Sequence, residues 1–295
     1  MRSVIIMLLL IIVSSCSNGD DNYDATGAFE ADETIISAEV PGILKGFNVE
    51  EGQKILQGAL LGFIDTTQLH LQKKQLEAQI SAVLSRRPDI NAQLVALREQ
   101  LKAAEKDQER IKKLFQAEAA TEKQVDDINA QVAIIRGNLN ATYTSLNTNT
   151  TSLEQEVGPL EAQLDIINDQ ISNSILNGPM NGTVLMTYAR LHEMVSPGKP
   201  LYKMADLSTI TLKVYITGDQ LSKVKLNQNV KVLTDNGEGG YLETSGAIYW
   251  ISDQAEFTPK SIQTKDERAD KVYAMKVRVS NDGTYKIGMY GQIVI

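Results

Sequence analysis

Two stretches decide the fold. Residues 38–65 read AEVPGILKGFNVEEGQKILQGALLGFID and residues 178–206 read GPMNGTVLMTYARLHEMVSPGKPLYKMAD. In the first, Gly42 precedes Gly58, with Ile55 three residues before the second glycine and Leu61 three after. In the second, Gly182 precedes Gly198, with Val195 and Leu201 in the same places. Few identities are shared, yet the spacing and the β-type punctuation repeat. About a hundred residues of different character separate the copies. A repeat split by such an insertion argues for a spacer that holds two partners apart rather than for a catalyst.

The insertion is heptad-patterned. Leu69, Leu76, Val83, Ile90, Leu97, Ala104 and Ile111 recur every seven residues, with Ile80, Leu94, Leu101 and Phe115 as a second row. On the return, Val125, Val132, Leu139, Leu146, Leu153, Leu160 and Ile167 do the same. Sustained apolar heptads mean helices sharing one narrow seam. The polar patch Glu118 to Gln124 reads as the turn between two arms of roughly 50 residues, each about 75 Å long at about 1.5 Å per residue. Asp65, Thr66 and Thr67 are N-cap candidates for the first arm. Pro88 is expected to break that arm, opposite roughly Asn147 to Thr151, and Gly158-Pro159 marks a second defect near the base.

Outside the repeat the chain is β-like. Residues 27–37 read as one strand before the first copy. After the second copy, Ile210, Leu212, Val214 and Ile216 alternate as in a half-buried strand, and further strands are expected at 229–234, 243–251, 271–280 and 287–295. Glycine-bearing turns separate them, and one helical turn is expected over Asp219 to Val224. Five or six short strands in that space predict a small antiparallel barrel.

The N-terminus is a targeting segment. Arg2 precedes the apolar run Val4 to Val13, which is too short to span a bilayer as a helix. Val13-Ser14-Ser15-Cys16 resembles a bacterial lipobox, and Cys16 is the only cysteine of the 295 residues, so no internal disulfide forms. Lipidation of Cys16 would anchor the mature chain, and the polar residues after it read as a tether. The expected organisation is a signal peptide over 1–15, a tether over 16–26, and the N-terminal strand with the first half-motif over 27–65. A hairpin over 66–175, the second half-motif over 176–206 and a barrel over 207–295 complete it.

Chemical signatures are missing. Formal charge is −8 and no basic stripe with interleaved aromatics is present, which argues against nucleic-acid binding. There is no phosphate-binding loop and no nucleophile elbow. The two histidines, His70 and His192, and one cysteine do not make a zinc site. No cofactor, no metal and no catalysis are expected.

Lipobox, half-motif, hairpin, second half-motif and barrel together resemble the HlyD-type periplasmic adaptors, or membrane fusion proteins. The resemblance implies an α+β fold: a split lipoyl-like barrel-sandwich domain with an inserted long antiparallel helical hairpin, followed by a small antiparallel β-barrel. The segment Trp250 to Lys260, with Ile262-Gln263-Thr264 and Glu267-Arg268, is similar to the branch that often works with ABC-type exporters. The resemblance further implies a lipid-anchored periplasmic protein on the inner membrane of a Gram-negative bacterium, in a homo-oligomeric ring between an inner-membrane transporter and a TolC-like outer-membrane channel. Many such adaptors carry at the hairpin tip an Arg, a Leu four residues on and a Ser seven further; Arg110 and Leu114 match, and Thr121 stands at the serine position. An RND-type partner, a stand-alone coiled-coil envelope lipoprotein and an acyl carrier are the alternatives. The last is disfavoured because the place of the modified lysine is taken by the hairpin. The cargo, the ring size and the membrane that holds the anchor stay open, since Ser17 after the cysteine also suits outer-membrane sorting.

Overall fold

The structure is a computed structural model that describes residues 23–237, 240–257 and 271–295. Cys16, the signal segment, most of the tether and the part of the branch-like segment from Thr258 to Arg268 lie outside the described residues. The architecture is the expected α+β arrangement: two four-stranded sheets built from the split repeat, a helical hairpin inserted between the halves, and a closed six-stranded barrel.

The sandwich is assembled from β2 (Glu33–Ser37), β3 (Gly42–Phe47), β4 (Lys54–Ile55) and β5 (Leu60–Ile64), with β6 (Ile175–Asn177), β7 (Gly182–Thr187), β8 (Met194–Val195) and β9 (Pro200–Ala205). The sheet orders are β2-β9-β7-β4 and β6-β5-β3-β8, so each sheet takes strands from both copies. The copies exchange equivalent residues. Gly42 pairs with Val195, and Gly182 with Ile55. The Gly52 amide donates to the Val184 carbonyl at 2.9 Å, and the His192 amide to the Leu44 carbonyl at 2.8 Å. Gly58 donates to Gly178 and Gly198 to Ala38. These relations define a pseudo-twofold axis, and Leu44, Val184, Leu61 and Leu201 fill the core about it.

The insertion leaves β5 at Asp65 and returns at β6. Helices α1 (Thr67–Leu84) and α2 (Ile90–Gln116) form the outgoing arm and α3 (Glu122–Asn173), 52 residues long, the return. At about 1.5 Å per residue α3 is roughly 78 Å long. Asp65 accepts from the Thr67 amide at 2.9 Å and the Thr67 hydroxyl at 2.6 Å, so it starts the helix, whereas Thr66 at the N-cap makes no side-chain cap. The heptad positions form the seam: Val83, Leu94, Ala104, Val132, Leu153 and Val157 are buried in it. Polar rungs interrupt it, with Lys73 donating to Asn168 and Gln108 to Asn129, each at 2.8 Å. Such rungs fix the register of the arms.

Pro88 breaks the outgoing arm as expected, and the chain restarts with Asp89 accepting from the Ala92 amide at the head of α2. The facing position differs from expectation. Arg86 and Arg87 pair with Glu156 and Glu154, both at 2.6 Å, and α3 continues unbroken past Asn147 to Thr151 and through Pro159. Lys73 faces Asn168 on the base side of the break and Glu105 faces Arg136 on the tip side in the same register, so the arms stay in step and the facing position is set by where the turn is centred, near residue 120. The seam packs Val83 on Leu153 and Val157, holding α3 helical there despite its poor helix formers. Phe115, expected in the seam, is instead exposed near the tip.

The barrel order is β1-β10-β13-β12-β11-β14, from β1 (Ala25–Glu30), β10 (Thr209–Thr217), β11 (Asn229–Asp235), β12 (Tyr241–Phe257), β13 (Lys271–Ser280) and β14 (Tyr290–Val294), with the one-turn helix α4 (Gly218–Leu221) after β10. The single strand expected over 27–37 is in fact two. Residues 25–30 close the barrel between β10 and β14, while β2 goes to the sandwich. Ala25, Gly27 and Phe29 point inward, and a side chain at Gly27 would meet the Lys213 carbonyl oxygen at 1.8 Å. Without β1 the sheet would keep two open edges, so the barrel needs residues from ahead of the repeat as well as 207–295. Phe29 stacks on Tyr285 with centroids 4.8 Å apart at the heart of its core.

Candidate interaction site at the hairpin tip

The tip is built by two local devices. At the end of α2 the Ala117 amide donates to the Lys113 and Leu114 carbonyls, and the Ala119 amide to Leu114 at 2.8 Å, with Glu118 in the left-handed region at φ 57°. This satisfies carbonyls that the helix end would otherwise orphan. At the start of α3, Thr121 and Gln124 form a reciprocal capping box: the Gln124 amide donates to the Thr121 hydroxyl and the Thr121 amide to the Gln124 side chain.

Arg110 and Leu114 lie one helical turn apart on α2, and Thr121 sits across the turn at the head of α3. Arg110 is held by Asp107 at 2.9 Å on its own helix and stays largely open to solvent. Lys113 likewise pairs with Glu109 at 2.8 Å, and this lysine holds the Glu109 carboxyl below its ordinary range. Leu114 is 41% exposed and Phe115 44%. The tip therefore presents an apolar pair beside a guanidinium, over a rigid capped turn. Phe115 was hidden from the sequence pattern because its heptad spacing continues the seam row, whereas the structure leaves it exposed.

A second surface escaped the sequence. On the outer barrel wall Arg278 lies 4.6 Å from the Tyr249 ring, Lys213 5.5 Å from Tyr215 and Lys276 5.8 Å from Trp250, while Lys276 also binds Glu30 at 2.8 Å. The alternation Thr211, Lys213, Tyr215 on β10 was the available signal. Of the two histidines, His70 closes the first turn of α1 on Thr66 with its backbone amide, and His192 occupies a turn with φ 68°. Among the described residues no group of His, Cys, Asp and Glu gathers as a metal site, and no helix is long and apolar enough to cross a membrane.

The split sandwich, inserted hairpin and barrel define a class: the chain has the fold of the HlyD-type membrane fusion proteins, the periplasmic adaptors. No family model matches it. Among curated proteins it is 24% identical over 294 residues to the UPF0194 membrane protein YbhG of Salmonella gallinarum, covering 92% of this chain and 88% of that protein. It is 25% identical over 319 residues to the UPF0194 membrane protein YE2891 of Yersinia enterocolitica, covering 97% and 94%. Among solved structures, MacA from Actinobacillus actinomycetemcomitans aligns with TM-score 0.51 at 23% identity, over 92% of this chain and 76% of that one. A MacA–MexA chimera carrying the Pseudomonas aeruginosa MexA α-hairpin domain aligns with TM-score 0.50 at 19% identity, over 91% and 78%.

Proposed function

We propose that this protein is a lipid-anchored periplasmic adaptor that links an inner-membrane transporter of the ABC type to a TolC-like outer-membrane channel, as one subunit of a homo-oligomeric ring. The observation that carries the reading is the insertion itself. A hairpin roughly 78 Å long grows from between two halves of one rigid sandwich, so its far tip is held at a set distance from the barrel. That geometry serves spacing and sealing and asks for no reacting group. Cys16 is the anchor, and the tip formed by Arg110, Leu114 and Thr121 is the channel contact. The cationic and aromatic wall of the barrel supplies a surface for the transporter. The ABC assignment rests on the likeness of Trp250 to Arg268 to that branch.

Affinity purification of the native-level protein from crosslinked cell envelopes, with mass spectrometry of its partners, tests this. Recovery of an ABC permease together with an outer-membrane channel is the expected result. An RND pump would keep the adaptor role and overturn the partner, and recovery of neither would leave a stand-alone envelope lipoprotein.

A further inference from the structure

The sandwich has an open end. Strands β2 and β6 are each the outermost strand of their sheet, and a cleft of about 450 Å³ lies between them. Equivalent residues of the two copies are 140 positions apart, as Gly42 and Gly182 are, or Phe63 and Lys203. By that rule the walls of the cleft match, since Ile35 and Ile175 are counterparts, as are Ile36 and Leu176, and all four line it. Tyr202 breaks the match. It lines the cleft and is 1% exposed, and its hydroxyl has no hydrogen-bond partner. Its counterpart is Gly62, where a side chain would meet the Gly46 carbonyl oxygen at 2.0 Å, so only one half of the repeat supplies a ring here.

Packing does not account for that hydroxyl. The ring fills the core beside Phe47, with centroids 6.5 Å apart, and a phenylalanine would fill it equally. A buried hydroxyl without a partner gives up its hydration and gains nothing in return. Burial pushes its pKa up to about 12, so at neutral pH it is an uncharged group that can donate or accept. The rim carries a second observation. Glu39 lines the cleft, and no cation among the described residues pairs with it, whereas Glu33 and Glu193 of the same sandwich are held by Lys203 and Lys199. An occupant that satisfies both groups has an apolar body, a polar hydrogen for the phenol and a positive charge for the carboxylate. We propose that the cleft binds a small amphipathic amine, its body against Ile36, Leu176 and the Tyr202 ring and its ammonium toward Glu39. The volume lies within the range of small-molecule pockets. Ser172 and Asn173, at the end of α3, form part of the wall, so the occupant also touches the root of the hairpin. The site is separate from the tip and does not rest on the adaptor reading.

The test is calorimetric titration of tryptamine, which carries an apolar ring, a ring N–H and an ammonium, into the full-length protein in lipid nanodiscs, with empty nanodiscs subtracted. Indole-3-propionate, of the same body and opposite charge, is the control. Saturable binding of one tryptamine per chain is expected, weakened about 3–10-fold by Tyr202→Phe and by Glu39→Gln. Indole-3-propionate is expected to bind about tenfold more weakly or not at all. Without the amine, Tyr202→Phe is expected to raise the melting temperature by about 2–4 °C, because it removes only an unsatisfied group. No saturable binding to the unsubstituted protein up to about 1 mM overturns the proposal. Equal binding by both variants, or by the propionate, overturns it as well, because that is partition onto an apolar surface. A lowered melting temperature for Tyr202→Phe also overturns it, since the hydroxyl then serves the fold and not a ligand.

Discussion

At the residue scale the repeat is most informative where its copies disagree. Gly52 and His192 occupy equivalent turns, with φ 83° and 68°, and their amides make equivalent hydrogen bonds across the axis. Only glycine adopts that region freely; another residue costs about 1 kcal/mol or more. Against the extra chain entropy of glycine, His192→Gly is expected to raise unfolding stability by roughly 0.5 kcal/mol, read as an upward shift in the urea midpoint. The same turn holds Glu193, whose carboxyl the Lys199 ammonium at 2.6 Å and the Arg190 amide keep below its ordinary value of 4.5. Thr67 does the same for Asp65 and Thr284 for Asp282, both below 3.8. A lowered folded value means stability that is present above the ordinary value and lost as pH falls through the folded one. Melting temperature is therefore expected to hold flat from about pH 7 to 5 and to fall below about pH 4. The fall is shallow because these groups are exposed. A fall that begins near pH 6 would show that groups other than these carboxylates set the acid limit.

At the element scale, the hairpin is a long helix with a capped tip and two prolines of different consequence. Pro88 sits in the break between α1 and α2, but Pro159 lies inside α3. It removes one backbone donor and crowds the preceding turn, at a cost of about 3 kcal/mol in an ideal helix. Pro159→Ala is expected to stabilise the protein by roughly 1–2 kcal/mol in chemical denaturation; no gain would mean that the seam beside it is shaped around the proline. The tip gives a functional counterpart. Arg110→Asp with Leu114→Ser is expected to abolish export while leaving the melting temperature nearly unchanged, because Arg110 is exposed and pairs only locally with Asp107, and Leu114 is partly exposed. Export at the normal level by the double variant would remove the tip from the channel contact.

At the scale of the whole molecule, the barrel closes with Ala25–Glu30, whose first residue lies nine positions after the cysteine proposed as the anchor. Even fully extended, a link of that length reaches about 30 Å, so the proposed lipidation would hold the barrel near the membrane. Cys16→Ala is expected to block lipidation and signal processing, seen as retention of the unprocessed mass. A processed, unlipidated product would show a conventional secretory signal.

The sequence by itself determined the insertion, the seam and the alternating barrel strands, because each is a local periodicity: seven for the paired helices, two for Ile210 to Ile216. The break at Pro88 is likewise local chemistry. The tertiary structure alone decided three things. It sent Ala25–Glu30 to the barrel and Glu33–Ser37 to the sandwich, since a strand's partner depends on which open edge it closes and not on its own pattern. It placed Glu154 and Glu156, rather than Asn147 to Thr151, against the break, because the centre of the turn, near residue 120, sets which residues of the two arms face each other. It also set Phe63 and Lys203 on equivalent, opposite faces, a relation between residues far apart in the chain that only the pairing of the two half-motifs creates.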